Sequence, residues 1–125
     1  QGEPRTMQKN PVYTDLLSEV KSFLAERARA LTDLGVSAEK IVLDPGFGFG
    51  KTVSQNFELL AKTEDFLSLG YPLLYGMSRK SSLGAVTGIT KAEERLISSV
   101  TAHLLAVERG ASIVRVHDVK QMKEA

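Results

Sequence analysis

The chain has 125 residues, a formal net charge of +1, 42% hydrophobic residues and no cysteine. That apolar content suffices for one core of modest size, and the near-neutral balance argues against a nucleic-acid partner, which needs a basic excess to neutralise phosphates. The lack of cysteine excludes structural disulfides and thiolate metal sites and fits a cytoplasmic protein, while no apolar run approaches the roughly 18 residues of a membrane span and no signal-like segment opens the chain.

The sequence starts at Gln1 rather than at methionine, which suggests a truncated or processed product. Residues 1–13 read as loop, with Gly2, Pro4, Asn10 and Pro11. From Thr14 a helical period sets in: Leu16, Leu17, Val20, Phe23, Leu24, Leu31 and Leu34 form one apolar face, and Gly35 stands where a helix would stop. Ile41-Val42-Leu43 predicts a short buried strand ending at Asp44, followed by the glycine-rich run Pro45 to Thr52. Ser54 is positioned to cap a second helix through about Ser68, with Phe57, Leu60, Ala61 and Leu67 inward, before Gly70 interrupts it.

Pro72 to Tyr75 predicts the next strand, which runs into Gly76-Met77-Ser78-Arg79-Lys80-Ser81. Ser81 could cap a helix there. Thr90 and Glu93 have the capping-box spacing for a long helix from Lys91 to Arg109, closed by Gly110. Ile113 to Val116 predicts a third strand, ending in His117-Asp118, and Asp118 would cap the start of a last helix. The strands lie about 32 and 40 residues apart, which suits crossover units of a parallel sheet in an α/β fold. Their nearly continuous apolar runs fit strands covered on both faces.

The polar residues collect at equivalent places. Asp44 closes the first strand, Ser78, Arg79 and Lys80 follow the second, and Arg115 and His117 close the third. In parallel α/β folds the carboxyl ends of the strands form one edge, where ligands bind. Each residue alone could be a solvated loop charge, but three sets in register point to one mouth. Asp44 can accept two hydrogen bonds from an N–C–N edge, or simply cap the turn before Pro45. Lys80 is a flexible cation for a ligand oxygen or ring nitrogen. Arg115 can stack on a flat ring and fork onto a phosphate. His117, two residues on, projects to the same side, so the pair reads as an anion clamp; the bland alternative is a pair bonded to backbone carbonyls. His103, in mid-helix, reads as structural or surface. The Ser78 hydroxyl and the following helix terminus would favour a carboxylate or phosphate.

The glycine-rich run falls short of a P-loop. Three residues, not four, separate Gly46 from Gly50-Lys51-Thr52, and Pro45 takes the glycine position. Phe47 and Phe49 more naturally offer apolar contact to a ring, unless one packs under the loop. Nucleotide binding through Lys51 is therefore disfavoured.

Leu43 to Lys51, Pro72-Leu73-Leu74 with Gly76 to Ser81, Glu94-Arg95-Leu96, and Gly110-Ala111 through Val119 resemble, in order, the motifs of the bacterial dihydropteroate synthases. Gln1-Gly2 with Arg5 to Gln8 is similar to that family's loop after the fifth strand. The resemblance implies a TIM (β/α)8 barrel, of which residues 1–125 would be one partial domain: the C-terminal half, with strands six to eight and associated helices. A whole barrel takes roughly 250 residues. The sequence would then begin inside a motif and stop early in the last helix.

The family is a transferase of folate biosynthesis that condenses 6-hydroxymethyl-7,8-dihydropterin diphosphate with p-aminobenzoate and releases pyrophosphate. Carried over by position, the resemblance implies that Asp44, Phe47, Gly76, Lys80 and Arg115 bind the pterin. Gly48, Phe49, Ser78 and Lys80 would line the p-aminobenzoate site, with Ser78 on the carboxylate. Arg115 and His117 would hold the diphosphate, and Lys80, Arg115 and His117 would be the catalytic set. Mg²⁺ is the implied cofactor, with its ligand outside this sequence and no metal ligand within it. Sulfonamides should compete as p-aminobenzoate mimics, a homodimer through helices of this half is implied, and neither nucleic acid nor membrane is expected as a partner. The chain alone is expected to be inactive. Two alternatives remain: a pterin-binding methyltransferase domain, disfavoured because a methyl carrier has no diphosphate to clamp, and a non-catalytic half-barrel whose open sheet edges invite association.

Overall fold

The structure is a computed structural model that describes residues 15–125. The opening loop and the motif at residues 1–8 lie outside the described residues. Helix α1 spans Leu16–Asp33 and starts where the Asp15 carboxylate accepts from the Ser18 hydroxyl at 2.8 Å. It stops at Leu34, and Gly35 then turns the chain with φ +97°. Its buried stripe is Leu16, Val20, Leu24 and Ala28, an i, i+4 line. That line packs on Ile41, Leu43, Leu59, Phe66 and Leu73. The apolar face expected from the sequence was too wide, because a single packing seam leaves Phe23 and Leu34 exposed at 60% and 83%. Burying each leucine contributes about 1.5–3 kcal/mol, and Leu24 is the residue whose truncation would open this seam.

A short 3-10 turn, Ala38–Lys40, leads into Ile41 to Leu43. The expected strand here reduces to one parallel bridge between Leu43 and Leu73. Strands β1, Leu74–Tyr75, and β2, Ile113–Val114, pair in parallel, Leu74 opposite Ile113 and Tyr75 opposite Val114. These segments alternate as strands should. Ile41, Leu43, Leu73 and Tyr75 turn toward the helices and are buried, whereas Val42 and Ile113 are 43% and 41% exposed on the opposite face. That opposite face, uncovered among the described residues, is the one a closing barrel would enclose.

Helix α2 spans Val53–Ala61. Thr52, not the expected Ser54, caps it in a reciprocal box with Gln55. The helix ends earlier than expected and continues as a 3-10 segment, Thr63–Leu69. The Thr63 hydroxyl bonds back to the Leu60 carbonyl at 2.7 Å and lies 2.8 Å from the Tyr75 hydroxyl, which pins the tightened turn to β1. Leu60 is buried as expected and Phe57 partly so, with Leu59 and Phe66 also inward, while Ala61 is exposed and Leu67 is 44% exposed.

Helix α3 spans Ser81–Thr87, with Lys80 rather than Ser81 at its cap position. Helix α4 spans Leu96–Glu108, five residues shorter at its start than the Thr90–Glu93 spacing predicts. The reason is Arg95: its guanidinium donates to the carbonyls of Ile89, Thr90 and Arg79, which breaks the helix there and leaves a 3-10 turn, Ala92–Glu94. Helix α5 spans Val119–Glu124. A second core joins Phe47, Leu60, Tyr75, Met77, Leu83, Ala102 and Ala106, so the helices seal the back of the loops that follow each strand.

Candidate active site

The loop after Leu43 is shaped by polar groups within it. The Asp44 carboxylate accepts from the Gly46 amide at 2.8 Å, so the turn-capping role is realised at one of its oxygens. Gly48 has φ +88° and its amide donates to the Asn56 side chain at 2.8 Å. Asn56 in turn donates to the Ser82 hydroxyl at 2.8 Å, linking this loop to α3 from beneath. The sequence reading missed Asn56, whose signal was an amide on the apolar face of α2. Lys51 is buried, and its amine donates to the carbonyls of Gly46 and Phe49 at 2.9 and 2.8 Å. Burial pushes that amine down to about 8, against the pull of Asp44. A lysine folded onto its own loop does not serve as a P-loop lysine.

The two phenylalanines part company. Phe47 is buried at 1% exposure, edge-on to Phe57 with centroids 5.7 Å apart. Its ring belongs to the core, which corrects the expectation that it lines a pterin pocket; its carbonyl is what reaches the mouth. Phe49 is 50% exposed, with the Lys80 amine 4.4 Å from its ring centroid.

The loop after β1 is held by α4. Arg95, Ser99 and His103 fall at i, i+4 and i+8, one line on the helix. Ser99 Oγ accepts the Arg79 amide at 2.9 Å, and His103 Nε2 accepts the Met77 amide at 3.0 Å. His103 Nδ1 lies 2.6 Å from the Ser99 carbonyl and therefore carries the proton. Burial lowers the His103 pKa and favours this neutral form. It is a buried structural histidine, as one of the two sequence readings had it.

Beyond this support, a cavity of about 240 Å³ is lined by Gly76, Ser78, Lys80, Arg115, Val116 and His117. Gly76 lets the Arg115 guanidinium lie against its backbone, since a Cβ there would meet that group at 2.7 Å and push it aside. Gly48 is likewise crossed by Lys80, whose Cδ would stand 2.8 Å from an added Cβ. The Lys80 amine donates to the Phe47 carbonyl at 2.6 Å. Burial lowers its pKa, Asp44 opposes that shift, and Arg115 adds to it. The structure thus brings together Asp44, Gly48, Phe49, Gly76, Ser78, Lys80, Arg115 and His117.

Ser78 is tied to His117. Its hydroxyl accepts the His117 amide at 3.1 Å and lies 2.8 Å from His117 Nδ1. It helps to aim the imidazole and also lines the cavity. Asp118 is the second correction: its carboxylate does not cap α5 but pairs with Arg79 at 3.0 Å.

The arrangement offers one carboxylate, an amine, a guanidinium and an imidazole around a pocket with an exposed aromatic ring beside it. Such a set suits a flat, hydrogen-bonding ring bearing a strongly anionic group. Among the described residues, no three His, Cys, Asp or Glu side chains gather in a way that could hold a metal ion. No helix among them is long and apolar enough to cross a membrane.

A family model described as pterin binding enzyme matches residues 1–117. The dihydropteroate synthase of Haemophilus influenzae is 45% identical over 119 residues, which cover 95% of this chain and 43% of that protein. Among solved structures, the dihydropteroate synthase of Stenotrophomonas maltophilia with imidazole bound in its active site superposes with a TM-score of 0.96 at 51% identity, over 99% of this chain and 47% of that one. The Thermus thermophilus enzyme in complex with 4-aminobenzoate gives 0.92 at 43% identity, over 98% and 49%. The chain therefore spans a little under half the length of the proteins it resembles.

Proposed function

The chain belongs to the pterin-binding enzyme family and folds as part of its TIM barrel, and on that premise we propose that the whole protein is a dihydropteroate synthase. It would join 6-hydroxymethyl-7,8-dihydropterin diphosphate to p-aminobenzoate. The observation that carries this reading is the single cavity where Lys80, Arg115 and His117 meet at the carboxyl ends of parallel strands.

In the reaction, the bond between the pterin's methylene carbon and the diphosphate oxygen breaks. The aniline nitrogen bonds to that carbon and gives up a proton. Arg115 and His117 hold the departing diphosphate, and the charge they meet grows as the bond breaks, so their attraction favours the transition state. Ser78, by engaging Nδ1, leaves His117 Nε2 as the nitrogen available to the phosphate. Asp44 takes the pterin's amidine-like edge through its oxygen not bound to Gly46. Lys80, anchored on the Phe47 carbonyl and the Phe49 ring, lies between the two substrates. Phe49 and Gly48 border the p-aminobenzoate side, where a sulfonamide would compete.

Mg²⁺, when bound, supplies further neutralisation of the diphosphate. The residues described here bring mainly cations to that group, and its ligand is proposed to lie, as the family resemblance implies, in the portion of the barrel that the chain does not span. A second copy is proposed to dock on the apolar groove of about 420 Å³ between α3 and α4, where Val86 and Ile97 are 58% and 82% exposed. The enzyme is proposed to work in the cytoplasm.

A methyltransferase of the same fold is the second reading, and the paired Arg115 and His117 speak against it because a methyl carrier offers no diphosphate. The test is pyrophosphate release by the whole enzyme with and without p-aminobenzoate. Release that depends on p-aminobenzoate supports the synthase; methyl transfer without it overturns the reading.

A further inference from the structure

The parallel register of β1 and β2 continues past the strands. Leu74 stands opposite Ile113 and Tyr75 opposite Val114. Beyond them the backbone ladder gives way to side-chain links at the same separation of 39 residues. Ser78 meets His117, and Arg79 Nη2 meets Asp118 Oδ1 at 3.0 Å. The two loops of the mouth are stitched together residue by residue.

Arg79 is unusual within this seam. It is the non-glycine residue with a positive φ, 60°, among the described residues, a conformation that side chains with a Cβ disfavour. Its buried Nε finds no hydrogen-bond partner, a second unfavourable feature. Surroundings over-determine the conformation: the amide is held by Ser99 Oγ, the carbonyl by Arg95 at 2.8 Å, and the guanidinium by Asp118. Strain of this kind persists where the surrounding structure enforces it, and it clusters at functional sites. The ion pair itself is partly exposed, 31% and 22% at the two side chains, so it adds little to stability. The left-handed turn does have a geometric consequence. It lets Ser78 meet His117 while Lys80, one residue beyond Arg79, reaches back to the Phe47 carbonyl.

We propose that the Arg79–Asp118 ion pair is a positioning device that locks the loop after β1 to the loop after β2 and so fixes Lys80 relative to Arg115 and His117. It rests on the synthase reading, since it sets how the pterin diphosphate and the attacking amine are held against each other. Neither residue needs to touch a substrate.

The test uses the whole enzyme with Arg79→Met, Asp118→Asn, the double variant and Arg79→Lys. Each single change is expected to lower kcat about tenfold to a hundredfold, with KM for p-aminobenzoate within about threefold, because misplacement of a catalytic group acts on the reacting geometry. The double variant should be no worse than the poorer single one, since the two side chains act as one unit. Arg79→Lys, which keeps the charge, should recover part of the loss. Single variants with kcat within about twofold of the unsubstituted enzyme, or losses that add in the double variant, overturn the proposal. So does a drop in Tm with kcat unchanged. If Arg79→Met fails to fold, the near-isosteric Asp118→Asn decides alone. An unsubstituted enzyme without turnover would defeat the synthase reading instead. Calorimetric titration with pyrophosphate then still tests the pair: weaker binding by Asp118→Asn supports it, and equal binding overturns it.

Discussion

Gly76→Ala should separate activity from stability in this site. The backbone at Gly76 is not in the left-handed region, so alanine introduces no torsional strain there. The added Cβ would lie 2.7 Å from Arg115 Nη2 and 3.1 Å from both Cζ and Nε. Ordinary contact begins near 3.4 Å, so the guanidinium has to retreat by 3.4 − 2.7, or about 0.7 Å. A long side chain at the edge of an open cavity can move that far cheaply, and the stability cost should stay within about 0.5 kcal/mol. Catalysis is less forgiving. A misplacement of about 1 Å can cost a hundredfold, so kcat/KM should fall about tenfold to a hundredfold. The assay is pyrophosphate release by the whole enzyme, paired with thermal unfolding of the same preparations. Gly76→Ala added to Arg115→Ala should cost nothing further, because the displaced group is already gone. Unchanged kcat/KM in Gly76→Ala, or an additional loss in the double variant, would refute the placement of Arg115 against this glycine as functional.

Lys80→Ala and Arg115→Ala should each lower turnover by about two to three orders of magnitude, as loss of a charged group facing transition-state charge does, with the fold intact by circular dichroism. Normal turnover in either variant removes that residue from the site. His103 should make the protein acid-sensitive: burial lowers its pKa below the ordinary 6.5, so the unfolded chain takes up a proton first as pH falls. The stability it contributes is full above pH 6.5 and declines below it by up to about 1.4 kcal/mol per pH unit. His103→Gln keeps a donor and an acceptor and should flatten that decline in denaturant titrations between pH 7 and 5; an unchanged slope contradicts the assignment. Ile97→Glu, in the groove between α3 and α4, should convert a dimer to a monomer in sedimentation equilibrium, and a persistent dimer would move the interface elsewhere.

Much of the molecule was legible from apolar spacing and glycine stops. The α1 stripe, the three strand–loop–helix units and the gathering of Asp44, Lys80, Arg115 and His117 at one edge all follow from local pattern and the topology of parallel sheets. What escaped depended on partners far along the chain. Phe47 and Phe49 are the same residue type two positions apart, and only packing on Phe57 decides which one enters the core. Ser78 looked free because its partner, His117, is 39 residues away. The Thr90–Glu93 spacing was a sound cap signal, overridden by Arg95, whose three carbonyl partners come together only in the folded chain. The line of Arg95, Ser99 and His103 could have been seen as polar residues at helical spacing in an otherwise apolar helix. Its purpose, holding the loop after β1, could not.

The most direct measurement is pyrophosphate release from 6-hydroxymethyl-7,8-dihydropterin diphosphate with Mg²⁺, with and without p-aminobenzoate, by this chain alone and by the whole barrel. A dihydropteroate synthase requires release by the whole barrel only, and only when p-aminobenzoate is present. Absence of release from a folded whole barrel, or release indifferent to p-aminobenzoate, would contradict it.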